Sequence, residues 1–192
     1  MRLLLGSLFA LVVAAIVGLG ATYLALTRDA AFSPLTIGSW TAWPKTGTVY
    51  ADPYAQASIA RVGRLPTALG DGVAFTASAD DNGRPLDGRC DVVLAGVTPA
   101  ARCWTLTLYN VDGELVPNSI KRYGFTSEEI VRQADGSFEI VVAPRANPGN
   151  WLPTGGVERY ILLLRLYDTA VGVSTKAGRE VPMPSVNVRS CP

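Results

Sequence analysis

The segment RCWTLTLY, residues 102–109, alternates large apolar and smaller polar side chains without a break. On an extended chain Trp104, Leu106 and Leu108 share one face, while Cys103, Thr105, Thr107 and Tyr109 share the other. A period of two marks a strand with one buried face, because successive side chains of a strand point to opposite sides of its sheet.

The same kind of pattern recurs along the chain, roughly every 10 to 15 residues, with turn residues between the runs. Upstream, Gly72–Ala79 reads as a strand, and DDNGRPLDG (80–88) carries Asn-Gly and Asp-Gly turn signals. Cys90–Leu94 is expected to pair with Arg102–Tyr109 in a hairpin around Gly96–Ala100. Downstream, VDGE (111–114) is another turn, followed by Leu115-Val116 and the region around Tyr123. TSEEIVR (126–132) suggests a short helical turn capped by Ser127. Phe138–Val142 reads as a strand, Arg159–Tyr167 as a central one because it is so apolar, and a last strand includes Val186 and Val188. Many short strands with this rhythm imply a β-sandwich or barrel.

A short helix over Pro53–Val62 is expected ahead of the strands. Asp52 suits its N-cap, Pro53 its first position and Gly63 its stop. Residues 28–47 read as a linker that becomes ordered towards its end, with Trp40 and Trp43 as contacts. The expected organisation is thus a segment 1–27, a linker 28–47 and a β domain 48–192.

Residues 3–26, LLLGSLFALVVAAIVGLGATYLAL, carry no charge. About 20 apolar residues in a helix cross a hydrocarbon core, so this run is long enough to span. A cleaved signal peptide is the alternative, but its apolar region is typically about 7 to 15 residues and ends in a small-x-small site. The nearest approach to such a site is Leu19-Gly20-Ala21, so an uncleaved anchor is favoured. Arg2 biases the N-terminus to the cytoplasmic side, with the rest of the chain on the far side. The expected location is a single-pass inner-membrane protein with its domain in the periplasm.

The chain carries 17 basic and 16 acidic residues for a net charge of +1, and no histidine. Such a balance gives no basic face for nucleic acid and no polybasic membrane patch. Without histidine no Ser-His or Cys-His pair exists. Asp80, Asp81, Asp87 and Asp91 lack the spacing and closing glutamate of a calcium loop and read as solvated turns, so no metal ligands are assigned. Glu128 and Glu129 are adjacent and point apart, which removes them as an acid/base pair. Arg159 and Arg165 share a strand face with Ile161 and Leu163, where Arg165 and Tyr167 could meet a carboxylate or sugar. Pairing of these arginines with acidic residues inside the domain is the favoured reading.

Three cysteines in an oxidising compartment leave one unpaired if a bridge forms. In the expected hairpin Cys90 faces a point near residue 106, too far from Cys103 for a bridge whose Cα atoms must lie within about 7 Å. Cys90 with Cys191 is therefore favoured, leaving Cys103 as a free thiol. A 90–103 bridge stays open if the turn lies elsewhere.

RCWTLTLYNVDGELVPN, RYGFTSEE and NPGNWLPTGGVERYILLLRLYD resemble the family catalogued as domain of unknown function 1214. ADPYAQASIARVGRLP and LDGRCDVVL resemble the upstream part of its short, membrane-anchored proteobacterial members. The resemblance covers about residues 40–192. It implies a jelly-roll-type β-sandwich, no established catalytic residues and no cofactor. Longer members carry a companion domain, catalogued as domain of unknown function 1254. A short chain of this kind could work beside a separate protein bearing it.

GNWLPTGG (149–156) reads as a structural corner after the strand 138–142, with Trp151 plugging the end of the sandwich and the Asn150 amide satisfying loop backbone groups. If a ligand site exists, Asn147, Asn150, Trp151, Arg165 and Tyr167 are its candidates, suited to a sugar or carboxylate. The leading functional expectation is a non-catalytic binding module of the cell envelope. The alternative is a small-polar-ligand protein or enzyme using that Asn/Trp/Arg cluster.

Overall fold

In a computed structural model of the protein, the structure describes residues 2–27, 34–48, 51–53, 56–57, 60, 68, 70–171 and 181–192. It divides into two compact units, Met1–Ser33 with Lys45–Pro66, and Pro34–Pro44 with Thr67–Pro192.

In the first unit, α1 (Arg2–Thr27) is a continuous helix. At 1.5 Å per residue a helix of this length extends about 39 Å, more than the roughly 30 Å of a hydrocarbon core. Its stretch Arg2–Leu24 is apolar enough to cross a membrane and buries none of its surface. Of the short helix expected over 53–62, Pro53, Gln56, Ala57 and Ala60 are helical, and the Gln56 N–H donates to the Asp52 carbonyl at 3.0 Å. The rest of that segment, including its Gly63 stop, lies outside the described residues.

The second unit is mostly β, as expected, and is built from two sheets. β1 (Leu35–Ile37), β2 (Trp40–Ala42), β3 (Gly72–Ala77), β9 (Tyr160–Tyr167), β5 (Cys103–Asn110) and β6 (Gly124–Thr126) form one, in that spatial order. β10 (Ser185–Ser190), β4 (Asp91–Gly96), β7 (Phe138–Ala143) and β8 (Asn150–Pro153) form the other. Every pairing is antiparallel except β7 with β8, which is parallel.

The alternation read from residues 102–109 is realised in full. Trp104, Leu106 and Leu108 face inward beside Leu162, Leu164 and Leu166 of β9, Phe75 of β3 and Trp40 of β2. Val92, Leu94, Phe138, Ile140, Val142, Leu152 and Val186 of the other sheet meet them. Burying each side chain of this size stabilises by about 1.5–3 kcal/mol, so the two inner faces hold the sandwich together.

The hairpin expected between 90–94 and 102–109 does not form. β4 pairs with β7 and β10, whereas β5 pairs with β9 and β6. Each of these two runs has one apolar face, and both faces are buried by opposing each other across the core rather than lying side by side in one sheet. The connection 97–102 passes from sheet to sheet.

Residues 35–42, within the segment expected to become ordered, form β1 and β2, and Trp40 is a contact as expected, buried with its indole N–H donating to the Pro184 carbonyl at 2.7 Å. The helical turn expected at 126–132 is a tight turn over 127–129 that follows β6. Thr126 rather than Ser127 begins it, donating its hydroxyl and its N–H to the Glu129 carboxylate at 3.0 and 3.2 Å. Ser127 bonds back to the Trp104 backbone.

Candidate functional site

The aspartates of the 80–91 stretch show why they are turn builders. The Asp80 carboxylate is buried and accepts from the Asn82 and Arg84 N–H groups and from Arg84 Nε, at 2.8–3.0 Å. Burial alone would raise its pKa, but the hydrogen bonds from Arg84 and Asn82 together hold it below the usual range. Asp81 accepts from the Ser39 hydroxyl and from the Val186 N–H, so one carboxylate ties the β1–β2 turn to β10. Asp87 is held down at about 2, first by the hydrogen bonds of the Arg89 guanidinium. Among the described residues no three Cys, Asp or Glu side chains converge as a metal site. Glu128 and Glu129 are exposed, and Glu129 is occupied by Thr126.

GNWLPTGG is more than a corner, because its Asn150–Pro153 is β8, the edge strand beside β7. The Asn150 side chain is buried. Its Oδ1 accepts from the Val131 N–H at 2.8 Å, and its Nδ2 donates to the carbonyls of Val131 and Glu139 at 2.9 and 2.8 Å. Trp151 does not plug the sandwich. It is half-buried, its indole N–H donates to the Ala143 carbonyl at 3.0 Å, and its neighbour Leu152 fills the core. Strand alternation explains the exchange, since Trp151 and Leu152 must face opposite ways. Arg122 Nη1 donates to the Trp151 carbonyl at 3.0 Å and so blunts the free edge of β8.

The five candidate residues fall into two places. Asn147, whose amide donates to the Arg145 carbonyl, lies with Asn150 and Trp151 at the β7–β8 edge of the four-stranded sheet. Arg165 and Tyr167 lie on β9 of the other sheet, on the face turned away from the core. The reason is again the period of two: Tyr160, Leu162, Leu164 and Leu166 take the inner face, so the residues between them point out. The core separates Arg165 from Trp151, and no Asn/Trp/Arg cluster is assembled.

What β9 does assemble is an open face. In register across the six-stranded sheet, Thr41, Thr76, Leu163 and Thr107 form one row, and Ala74, Arg165, Thr105 and Thr126 another. Ile161 pairs with Tyr109, and Tyr167 with Cys103. All are half-buried, and Arg165 is the one charge among them. The internal carboxylate expected beside Arg165 is not there: among the described residues Arg165 makes no ion pair. The threonine rows depend on register between strands and so carry no signal in the sequence alone.

Cys90 and Cys191 are joined by a disulfide with Cα atoms 4.2 Å apart, and Cys103 is a half-buried free thiol on the outer face. The hairpin used to separate Cys90 from Cys103 is absent; the two lie on different sheets.

Fold and faces together define a two-sheet β-sandwich domain on a chain that also carries an apolar N-terminal helix. The chain belongs to the family described as Protein of unknown function (DUF1214), whose model matches residues 71–171. Its fold is similar to the crystal structure of the VPA0106 protein from Vibrio parahaemolyticus, with a TM-score of 0.58 at 20% identity over 73% of this chain. That match covers 36% of the Vibrio chain, so this protein spans about a third of its length. A putative uncharacterized protein from Burkholderia cenocepacia aligns with a TM-score of 0.44 at 19% identity, over 61% of this chain and 29% of that one. No curated protein matches.

Proposed function

We propose that the protein is a non-catalytic binding module of the cell envelope, held in the inner membrane by residues 3–26 with its β-sandwich on the periplasmic side. Its partner is a separate companion protein bearing the domain of unknown function 1254, docked on the outer face of the six-stranded sheet. The observation that carries this reading is that half-exposed face, with Thr, Ile, Leu and Tyr side chains around Arg165, which among the described residues makes no ion pair. Interfaces of this kind combine aromatic and aliphatic contact area with few charges. The longer Vibrio chain is consistent with it, because there a related fold is one part of a larger protein. The carboxylates whose pKa values are displaced, Asp80, Asp87 and Asp135, all lie below the ordinary value. A carboxyl serving as a general acid at neutral pH would need the opposite shift.

The test places a photo-crosslinking residue at Leu163, or at the exposed Asn187 on the opposite sheet, in the full chain co-produced with such a companion. Cross-linking from position 163 and not from 187 is expected. Equal cross-linking from both, or none from either, removes the proposal.

A further inference from the structure

Where β4 begins and β7 and β10 end, the four-stranded sheet leaves a cavity of about 530 Å³, lined by residues that include Arg89, Asp91, Pro144, Arg145, Val157 and Cys191. It is an open surface groove rather than an enclosed pocket, and Pro144, Arg145 and Cys191 on its lining are exposed. Its charged groups are not equally available. The Arg89 guanidinium is committed to Asp87, through Nε at 3.0 and 3.2 Å and Nη2 at 2.6 Å. Asp87 is held well below the usual carboxylate range, so this pair stays ionised and internally neutral.

Arg145 has no such partner: among the described residues its guanidinium makes no hydrogen bond and no ion pair. Asp91 accepts the Ser190 hydroxyl on one oxygen, Oδ2, at 3.2 Å, which leaves Oδ1 unengaged. Asp91 and Arg145 do not pair with each other, although β4 and β7 are neighbours with Val92 opposite Val142. The cavity thus presents a free planar cation and a free carboxylate oxygen as separate posts. Pro144, Val157 and the disulfide-bonded Cys191 are on the same lining.

We propose that this groove binds a small molecule carrying a carboxylate beside a hydroxyl or amine donor. Arg145 takes the carboxylate through two parallel N–H bonds, and Asp91 accepts from the neighbouring donor. A uronic acid and an α-amino acid share this chemistry. Because Cys191 is both a wall of the groove and one end of the disulfide, the groove is complete when the bridge is closed. The proposal deepens the binding-module reading but uses a site away from the companion face, so cross-linking from Leu163 reports on that reading separately.

The test titrates the detergent-solubilised full chain with D-galacturonate, with L-alanine, and with D-galactose as the uncharged control, followed by calorimetry. Saturable binding of at least one acid is expected, with galactose at least tenfold weaker. Arg145→Gln and Asp91→Asn should each weaken it at least tenfold, reduction of the disulfide should weaken it also, and Glu128→Gln, on an exposed turn of the other sheet, should leave it unchanged. Binding of galacturonate alone assigns a sugar acid, and of alanine alone an amino acid. Absence of binding by both acids, or binding that survives Arg145→Gln, overturns the proposal.

Discussion

Asn150 and Tyr160 are buried polar side chains in opposite situations, and they give opposite predictions. The Asn150 amide bonds three backbone groups on two segments, the 131 loop and β7. Truncating it leaves one N–H and two carbonyls without their partner in a part-buried setting, at about 1–3 kcal/mol in all because Val131 itself is exposed. Asn150→Ala should therefore lower the urea midpoint by an amount corresponding to about 1–3 kcal/mol, within the range of ordinary single mutations. Tyr160 is also buried, but among the described residues its hydroxyl has no hydrogen-bond partner, and burial pushes its phenol pKa up. Tyr160→Phe removes an unpaired polar atom without opening a cavity, so stability should be unchanged or rise by up to about 1 kcal/mol. At this scale the sequence told part of the story. An Asn beside a Trp in a Gly/Pro-rich stretch announced a side chain that satisfies loop backbone, and the amide does so. Nothing in the string could say that the partner would be Val131, nineteen residues away.

Length and periodicity decided which elements were legible. β5 and β9 have eight residues each, long enough for a period of two to show, and β9 lies between β3 and β5 as its apolar run implied. β1, β2 and β6 have three residues and β8 has four, too few to display a period, so they read as linker, turn or corner. Pairing was the less legible property. Two runs joined by a short turn-like segment look the same whether they pair side by side or face each other across a core. Gly72 illustrates a constraint that appears in register alone: a Cβ there would overlap the Leu166 carbonyl of the adjacent β9. The two faces of β9 should also answer mutation differently. Leu164→Ala, on the inner face, empties a fully buried site and should cost about 2–5 kcal/mol. Ile161→Ala, on the half-exposed outer face, should cost about 1 kcal/mol or less in the same denaturation experiment.

For the whole molecule, the disulfide spans 101 residues and fastens the end of β10 beside the start of β4. Closing a loop of this length restricts the unfolded chain by about 4–5 kcal/mol in the chain-entropy treatment, and measured values for disulfides are typically about 2–4. Reductant should therefore lower the melting temperature of the wild-type protein and leave a Cys90→Ala/Cys191→Ala variant unchanged. Cys103→Ser, on the other sheet, should respond to reductant as the wild type does. A bridge of this kind persists in an oxidising compartment, which accords with an exported domain. The N-terminal run is long and apolar enough to cross a membrane, and it was legible from the start because length and lack of charge are properties that a sequence displays directly.

The most direct test of an anchored domain on the far side of the membrane uses Cys103, the free thiol on the half-exposed outer face. Spheroplasts producing the full chain are treated with a membrane-impermeant maleimide before and after lysis, and labelling and chain length are read on a gel. Labelling of Cys103 in intact spheroplasts, on a chain that retains its N-terminal helix and stays with the membrane, is the predicted result. Labelling that requires lysis, or a chain shortened by removal of residues 1–27 and released from the membrane, would contradict the account.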